Sequence, residues 1–139
     1  MQKILLAYNG GDADRRALDT AAQLADALDA TVSVVSVVPF TATRAGGVIP
    51  WDKEHHADEL HEAEALLRER GIAPEVLLPV GDVEKVIERV TEAGQFDVVV
   101  VGHRHLGRLH RLIDRSVAGH VATHANATVV VVNQGATAD

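Results

Sequence analysis

The chain of 139 residues contains no cysteine. That absence excludes disulfide bonds, cysteine-based zinc sites and a thiol nucleophile, and it fits a reducing compartment. Aromatic residues make up only 3% of the chain, so its apolar content comes from valine, alanine and leucine. Valine-rich strands combined with alanine- and leucine-rich helices favour an α/β protein over an all-β sandwich.

A long apolar run and a signal peptide are also missing. No run approaches the ~18 apolar residues that a membrane-spanning helix needs. The segment Met1–Leu6 has the character of a strand, and it lacks the length and the cleavage site of a secretory signal. We therefore expect a cytoplasmic protein that does not enter a membrane.

The net charge of −7 argues against nucleic-acid binding, which needs a basic surface. Positive charge is concentrated in residues 103–120, where four arginines accompany one acid, Asp114. These arginines are Arg104, Arg108, Arg111 and Arg115. The segment therefore predicts a site for a small anionic ligand, with a solvated helix face as the alternative.

Predicted strands and helices alternate along the chain. The strands are Ile4–Ala7, Thr31–Val38, Glu75–Val80, Phe96–Val101 and Thr128–Val132. Helices are predicted from Asp12 or Asp14, over Asp52–Arg70, from Gly81-Asp82, and around Ile113, Val117 and Val121, whereas Thr41–Ile49 is predicted to be a mobile loop. This alternation indicates a parallel sheet with helices on both faces. We predict one domain over residues 1–134, followed by a frayed tail over residues 135–139.

The most informative segment is Asp97–Val117. Four valines, Val98–Val101, lead directly into Gly102, which is typical of a strand that is buried on both faces. A strand followed by a flexible loop and a helix is a common anion site in α/β proteins, because the helix N-terminus offers unpaired N–H groups and partial positive charge. The segment therefore indicates a nucleotide-type site.

Short motifs follow one another in a characteristic order. They are Lys3–Ala7, Ser36–Pro39, Gly81-Asp82, Val99–Leu109, Ser116-Val117 and Ala127–Val132. In order and spacing they resemble the universal stress protein family over nearly the whole chain. The resemblance implies a flavodoxin-like or Rossmann-like open sheet of five parallel strands in the order 3-2-1-4-5. Strands 1 and 4 then flank the topological switch point, where ligands bind outside the carboxyl ends of the strands.

Many members of that family bind ATP through a motif of three glycines and a final serine or threonine. The resemblance places Gly102 at the first glycine and Ser116 at the final hydroxyl, but His105 and Arg115 stand at the second and third glycine positions. Asn9 stands where the nucleotide binders carry an acid. A side chain at position 105 obstructs close approach to a phosphate, whereas Arg115 either fills the pocket or contacts a phosphate.

The resemblance implies a stress-response binding module for an adenine nucleotide such as ATP, or for another small phosphorylated ligand. Mg²⁺ is expected only together with a nucleotide. The implied ligand-binding residues are Ala7, Asn9, Val37, Gly102, Arg104, His105, Gly107, Arg115, Ser116 and Val117. The alternative is a dimeric interaction protein of the same fold whose pocket is filled.

Histidines suggest one other kind of site. His120 and His124 are spaced to share a helix face, and His103 or His105 would add a third ligand for a divalent metal. No acid or cysteine stands at matching spacing, so we expect no metal site. Three further histidines are interpreted as solvated residues of an acidic helix: His55, His56 and His61.

No pattern in the sequence places a base beside a nucleophile. Ser36 lies in a predicted strand, and Ser116 stands at the start of a predicted helix. The segment Asn9–Asp14 partly matches the Ser-Gly-Gly-x-Asp-Ser loop of PP-loop ATP pyrophosphatases, but its key serines and aspartate are replaced. A strand-to-helix turn with aspartate caps accounts for the same residues. We therefore do not expect an enzyme, with slow ATP hydrolysis left open.

The last predicted strand, Thr128–Val132, has high β propensity and lies at the expected end of the sheet. An exposed strand edge invites pairing with another chain, and the resemblance implies that this strand forms a two-fold homodimer. We predict a homodimer interface formed by Val129, Val130, Val131 and Val132, with an edge covered by the tail as the alternative.

Overall fold

A computed structural model of the chain describes residues 2–102 and 127–132. The strands are β1 (Lys3–Ala7), β2 (Thr31–Val35), β3 (Phe40–Ala42), β4 (Val48–Pro50), β5 (Glu75–Leu77), β6 (Val98–Gly102) and β7 (Thr128–Val132). The helices are α1 (Asp12–Leu28), α2 (Lys53–Arg68) and α3 (Val83–Ala93). The predicted fourth helix and the predicted tail lie outside the described residues.

Five of the strands form one parallel sheet in the order β5-β2-β1-β6-β7. Counted among the five predicted strands, this order is 3-2-1-4-5, so the predicted fold class is confirmed. Strands β1 and β6 are direct neighbours, with Leu6 opposite Val100. The central strands carry no polar alternation because both of their faces are covered.

Side chains of the central strands β1, β2 and β6 alternate between two apolar cores. Ile4 and Leu6 pack with α1 and α2 on one face of the sheet. Leu5 and Ala7 point to the other face, where they pack with residues of α3. Helices on both faces are thus confirmed, because the period of two in a strand requires a cover on each side.

The predicted loop over Thr41–Ile49 is wrong. Strands β3 and β4 pair there as an antiparallel hairpin, with Thr41 opposite Ile49. Thr43 stabilises the turn, because its Oγ1 atom accepts from the Gly47 N–H and donates to the Gly47 carbonyl at 3.1 Å. Gly46-Gly47 therefore marks the tip of a hairpin.

The structure places several element boundaries at residues other than the predicted ones. Regular β2 ends at Val35, although Val38 still forms an isolated parallel bridge with Val80. Helix α1 begins at Asp12, but its N-cap is Gly11 and no side chain caps it. No helix within residues 2–102 and 127–132 has the length and apolar character needed to cross a bilayer.

Candidate functional site

The switch point of the sheet lies between the carboxyl ends of β1 and β6. Both strands run in the same direction and pair from Ile4 opposite Val98 to Leu6 opposite Val100. The loop that follows β1 therefore starts beside Gly102, the last residue of β6. This is the edge at which open α/β sheets bind their ligands.

One buried carboxylate joins the two strand ends. The backbone N–H of Asn9 donates to Oδ2 of Asp14 at 2.5 Å. A Cβ atom built on Gly102 would stand 2.6 Å from Oδ1 of the same side chain and 3.2 Å from the backbone of Ala13. Asn9 and Gly102 are thus brought together around Asp14, and only glycine at position 102 allows α1 to approach β6 so closely.

Asp14 was predicted only as an alternative helix cap, and that prediction is wrong because Asp14 lies inside the first turn of α1 and is fully buried. A signal for this burial was present in the sequence. Asp14 precedes Ala17 and Leu18 by three and four residues, so it belongs to the apolar stripe of the helix. A carboxylate on a buried stripe requires hydrogen-bond donors, which the Asn9 N–H supplies.

The loop between β1 and α1 is shaped by two glycines. Gly10 and Gly11 have φ angles of 80° and 91°. Residues other than glycine adopt such positive φ angles only at a cost in free energy. A Cβ atom on Gly10 would also stand 2.5 Å from Oε2 of Glu59 in α2. The loop therefore lies directly against α2, and its backbone is held close to that helix.

A polar network connects the loop to α2 and to Ser36, the residue that follows β2. The Ser36 hydroxyl donates to Oδ1 of Asn9 at 3.1 Å, and it is 3.1 Å from Nδ1 of His56. When Ser36 donates to Asn9, its oxygen accepts from the Nδ1–H of His56. His56, which lies 20 residues beyond Ser36 in the chain, thereby orients the side chain of Asn9 through the Ser36 hydroxyl.

The interpretation of His56 as a solvated residue is wrong. Its side chain is buried, because α2 turns this face toward the sheet. Burial lowers the pKa of His56, the charge of neighbouring His55 lowers it further, and Asp52 opposes the change. His56 is therefore neutral at neutral pH.

Ser36 and His56 form a hydroxyl–imidazole pair that the sequence did not indicate. Ser36 is only 1% exposed, so its hydroxyl is closed to a substrate. The nearby acid, Glu59, is 3.9 Å from Nδ1, the same ring nitrogen that faces Ser36. A catalytic triad requires the acid and the nucleophile on opposite ring nitrogens. The arrangement therefore positions Asn9 and does not activate a serine.

A second polar group ties the end of β1 to α2. The hydroxyl of Tyr8 donates to Oε1 of Glu62, and Arg15 lies 3.6 Å from the same carboxylate. Burial raises the pKa of Tyr8, and the charge of Glu62 raises it further. Tyr8 therefore stays protonated and acts as a fixed donor.

The remaining predicted site residues divide into two groups. Ala7 and Val37 are buried in the core on the α3 face of the sheet, next to Leu5 and Val101. The other predicted residues lie outside the described residues: Arg104, His105, Gly107, Arg115, Ser116 and Val117. The predicted histidine ligands at positions 103, 105, 120 and 124 also lie outside them, and in the described ranges no three metal-ligating side chains cluster.

Comparison with known proteins identifies the family. The family model described as universal stress protein family matches residues 1–133. The chain belongs to the universal stress protein family. This finding confirms the resemblance that the motifs carry. No curated protein sequence matches the chain.

Solved universal stress proteins share the fold. One from Burkholderia pseudomallei is 26% identical, with a TM-score of 0.67, and the match covers 94% of this chain and 95% of that one. A family protein from Arabidopsis thaliana with AMP bound is 18% identical, with a TM-score of 0.70 and coverage of 99% and 95%. One from Archaeoglobus fulgidus in complex with dAMP is 23% identical, with a TM-score of 0.68 and coverage of 95% and 98%.

Proposed function

We propose that this universal stress protein is a binding module that holds an adenine nucleotide at the carboxyl ends of β1 and β6. The observation that carries the proposal is the convergence of Asn9 and Gly102 on the Asp14 carboxylate. These are the two described positions to which the family motif assigns ribose and phosphate contacts. The AMP and dAMP complexes of proteins with the same fold support the choice of ligand.

Each proposed contact has a chemical reason. Gly102 is proposed to contact the phosphates through its backbone, because Asp14 and Ala13 of α1 occupy the space where a Cβ atom would lie. Ser116 offers a hydroxyl, and Asn9 can hydrogen-bond a ribose hydroxyl. Ala7 and Val37 were predicted from the sequence to line the base end of the site. Each is only 4% exposed, so we propose that they support that end from within the core. Five further residues are proposed from the sequence to complete the loop around the phosphates: Arg104, His105, Gly107, Arg115 and Val117.

The charge of Asp14 constrains how phosphates bind. Its Oδ1 faces Gly102, so a phosphate placed there experiences repulsion from a carboxylate in a poorly solvated position. Arginine side chains or a Mg²⁺ ion brought in with the nucleotide would offset this repulsion. We therefore propose that Mg²⁺ accompanies ATP and that the protein holds no metal of its own.

Calorimetric titration of the purified protein with AMP and ATP, with and without Mg²⁺, tests the proposal. We expect saturable heat, and weaker binding when Arg115→Ala removes a cation. Arg89→Ala on the exposed side of α3 is the matched control and should leave affinity unchanged. No heat and no thermal shift at millimolar ATP, combined with no gain in the double variant His105→Gly and Arg115→Gly, would overturn nucleotide binding.

The same titration separates the second candidate, an interaction protein with a filled pocket. That candidate is favoured by the Asp14 carboxylate, whose Oδ1 faces Gly102 where a phosphate would lie. If the parent is silent and the double variant binds, the side chains of His105 and Arg115 fill the pocket. In either case we propose a cytoplasmic homodimer joined through Val129–Val132.

A further inference from the structure

The β3–β4 hairpin exposes an unusual amount of apolar surface. Phe40, Val48, Ile49 and Trp51 are each more than half exposed. The chain has one tryptophan and two phenylalanines, so the tryptophan and one phenylalanine are both placed in or beside this hairpin. A concentrated exposed apolar patch in a protein that is otherwise poor in aromatics indicates an interaction surface.

The outer edge of β3 is suited to pairing with another strand. The Trp51 N–H donates to the Pro39 carbonyl at 2.7 Å, and the Thr43 N–H donates to the Gly47 carbonyl at 2.8 Å. Antiparallel pairing alternates, so Thr41 directs its backbone groups toward β4, while Phe40 and Ala42 direct theirs away from it. The outer edge of β4 is less suitable, because Pro50 lies there and has no N–H.

A groove with negative charge lies along the outer edge of β3. The Gly81 N–H donates to the Val38 carbonyl at 2.9 Å, and the chain then leaves the sheet to begin α3. Beside Pro39 and Phe40 this leaves a cavity of about 460 Å³, whose far side is residues 81–84. Two of those residues are acids, Asp82 and Glu84. The groove is thus apolar on one side and acidic on the other.

The tip of the hairpin carries the opposite charge. Arg44 is exposed and is the only cationic residue between Phe40 and Asp52. An antiparallel copy of β3 centred on Thr41 places Phe40 opposite Ala42 of the second copy, so the outward backbone groups of these residues form hydrogen-bonded pairs. Arg44 of the second copy lies in the turn that follows β3, so its long side chain extends from the end of the paired segment toward Gly81 and the two acids.

We propose that two copies of this chain dock through their hairpins, pairing β3 with β3 about a two-fold axis at Thr41. Each Arg44 enters the acidic groove of the other copy and meets Glu84. The two hairpins become one four-stranded sheet, which is more stable than a two-stranded ribbon in water. The contact is self-complementary, as a two-fold interface requires. It does not involve the β1–β6 site, and it is separate from the proposed β7 pairing.

Charge reversal on either side of the contact tests the proposal by sedimentation velocity over a concentration series. We expect Arg44→Glu and Glu84→Lys each to weaken self-association by at least about tenfold, because each places like charges together twice. An equimolar mixture of the two variants should restore association, since the mixed pair has opposite charges at both contacts. A purely intramolecular role of either residue does not predict this restoration.

Matched controls carry the same charge changes elsewhere. Arg89→Glu on α3 and Asp26→Lys on α1 are exposed and should associate as the parent does. Ala42→Pro, which removes an edge N–H, should also weaken association while circular dichroism stays native. A parent protein that is monomeric throughout the series, or a mixture that associates no better than either variant alone, would overturn the proposal.

Discussion

Gly102 shows how a single missing Cβ atom determines the geometry of the candidate site. The first turn of α1 approaches β6 so closely that any larger residue would meet the Asp14 carboxylate and the Ala13 backbone. Asp14 in turn accepts from the Asn9 N–H. The position of one glycine therefore sets how closely α1 approaches the end of β6.

We predict that Gly102→Ala lowers the free energy of unfolding by about 1–3 kcal/mol, because α1 must shift to admit the new methyl group. Urea denaturation followed by circular dichroism measures the change. Gly47→Ala is the matched control, since a Cβ there would meet only Thr43 Oγ1 at 3.7 Å. Equal stability of the two variants would contradict the steric explanation.

His56 makes stability depend on pH. Its pKa in the folded state lies below the unfolded value of about 6.5, so the unfolded chain binds the proton more readily. The contribution of neutral His56 to the free energy of unfolding is therefore fully present above about pH 6.5. It is lost as the pH falls through the folded pKa, because protonation then favours the unfolded chain. Protonation would also place a cation beside Ser36, whose hydroxyl orients Asn9.

We predict that His56→Gln reduces the loss of stability between pH 7.5 and pH 5, because glutamine keeps a hydrogen-bond donor but does not titrate. Unfolding free energies at both pH values measure the difference. His61→Gln is the control, since His61 is largely exposed. A difference between parent and His56→Gln that does not change with pH would show that His56 is not the titrating group.

At the scale of elements, the end of α1 carries a residue whose backbone conformation is unfavourable for its side chain. Helix α1 ends at Leu28, and its C-cap residue Asp29 adopts the left-handed conformation with φ 53° while its N–H donates to the Ala25 carbonyl. Glycine is the usual residue there because it lacks a Cβ atom. The left-handed conformation therefore costs Asp29 a small amount of free energy, which a substitution by glycine would remove.

Asp29→Gly should stabilise the protein by about 0.5–1 kcal/mol, since relief of the left-handed strain exceeds the added entropy of the unfolded chain. Thermal unfolding monitored by calorimetry provides the measurement. The same substitution at Asp26, inside the helix, should destabilise the protein by about 0.3 kcal/mol because glycine is a poorer helix former. Changes of the same sign at both positions would exclude the left-handed cap as the cause.

For the whole molecule, the sheet order leaves β7 at one end. Thr128 donates its N–H to the Asp97 carbonyl on the β6 side. Alternation along the strand therefore turns the N–H groups of Val129 and Val131 outward. This edge is the one through which we propose the homodimer.

Val131→Pro should halve the mass of the assembly and leave the fold intact, because it removes an outward N–H and no bond to β6. Val130→Pro is the counterpart: it removes an N–H directed at β6 and should destabilise the fold by about 3 kcal/mol or more. Light scattering and circular dichroism distinguish these outcomes. If Val131→Pro keeps the parent mass, the dimer does not form through this strand.

The predicted fold was correct because its evidence is local and repeated. Valine runs predict buried strands, the segments between them carry helical stripes, and such alternation permits few topologies. The hairpin was missed because Phe40–Pro50 has two short strands with exposed side chains, so no burial pattern distinguishes it from a loop. Its evidence is the backbone pairing, which composition does not display.

For the candidate site, the resemblance to the family motif predicts Asn9 and Gly102 as ligand contacts, and the structure brings these two residues together beside Asp14. The sequence did not indicate that Asp14, Ser36 and His56 are their polar neighbours. The sequence by itself determined the element order and the loops that meet at the switch point, since periodicity and glycine positions are properties of the chain. Only the tertiary structure decided which polar side chains face one another there. Those contacts join α1, α2 and the segments that follow β1 and β2, and their burial depends on how the helices pack against the sheet.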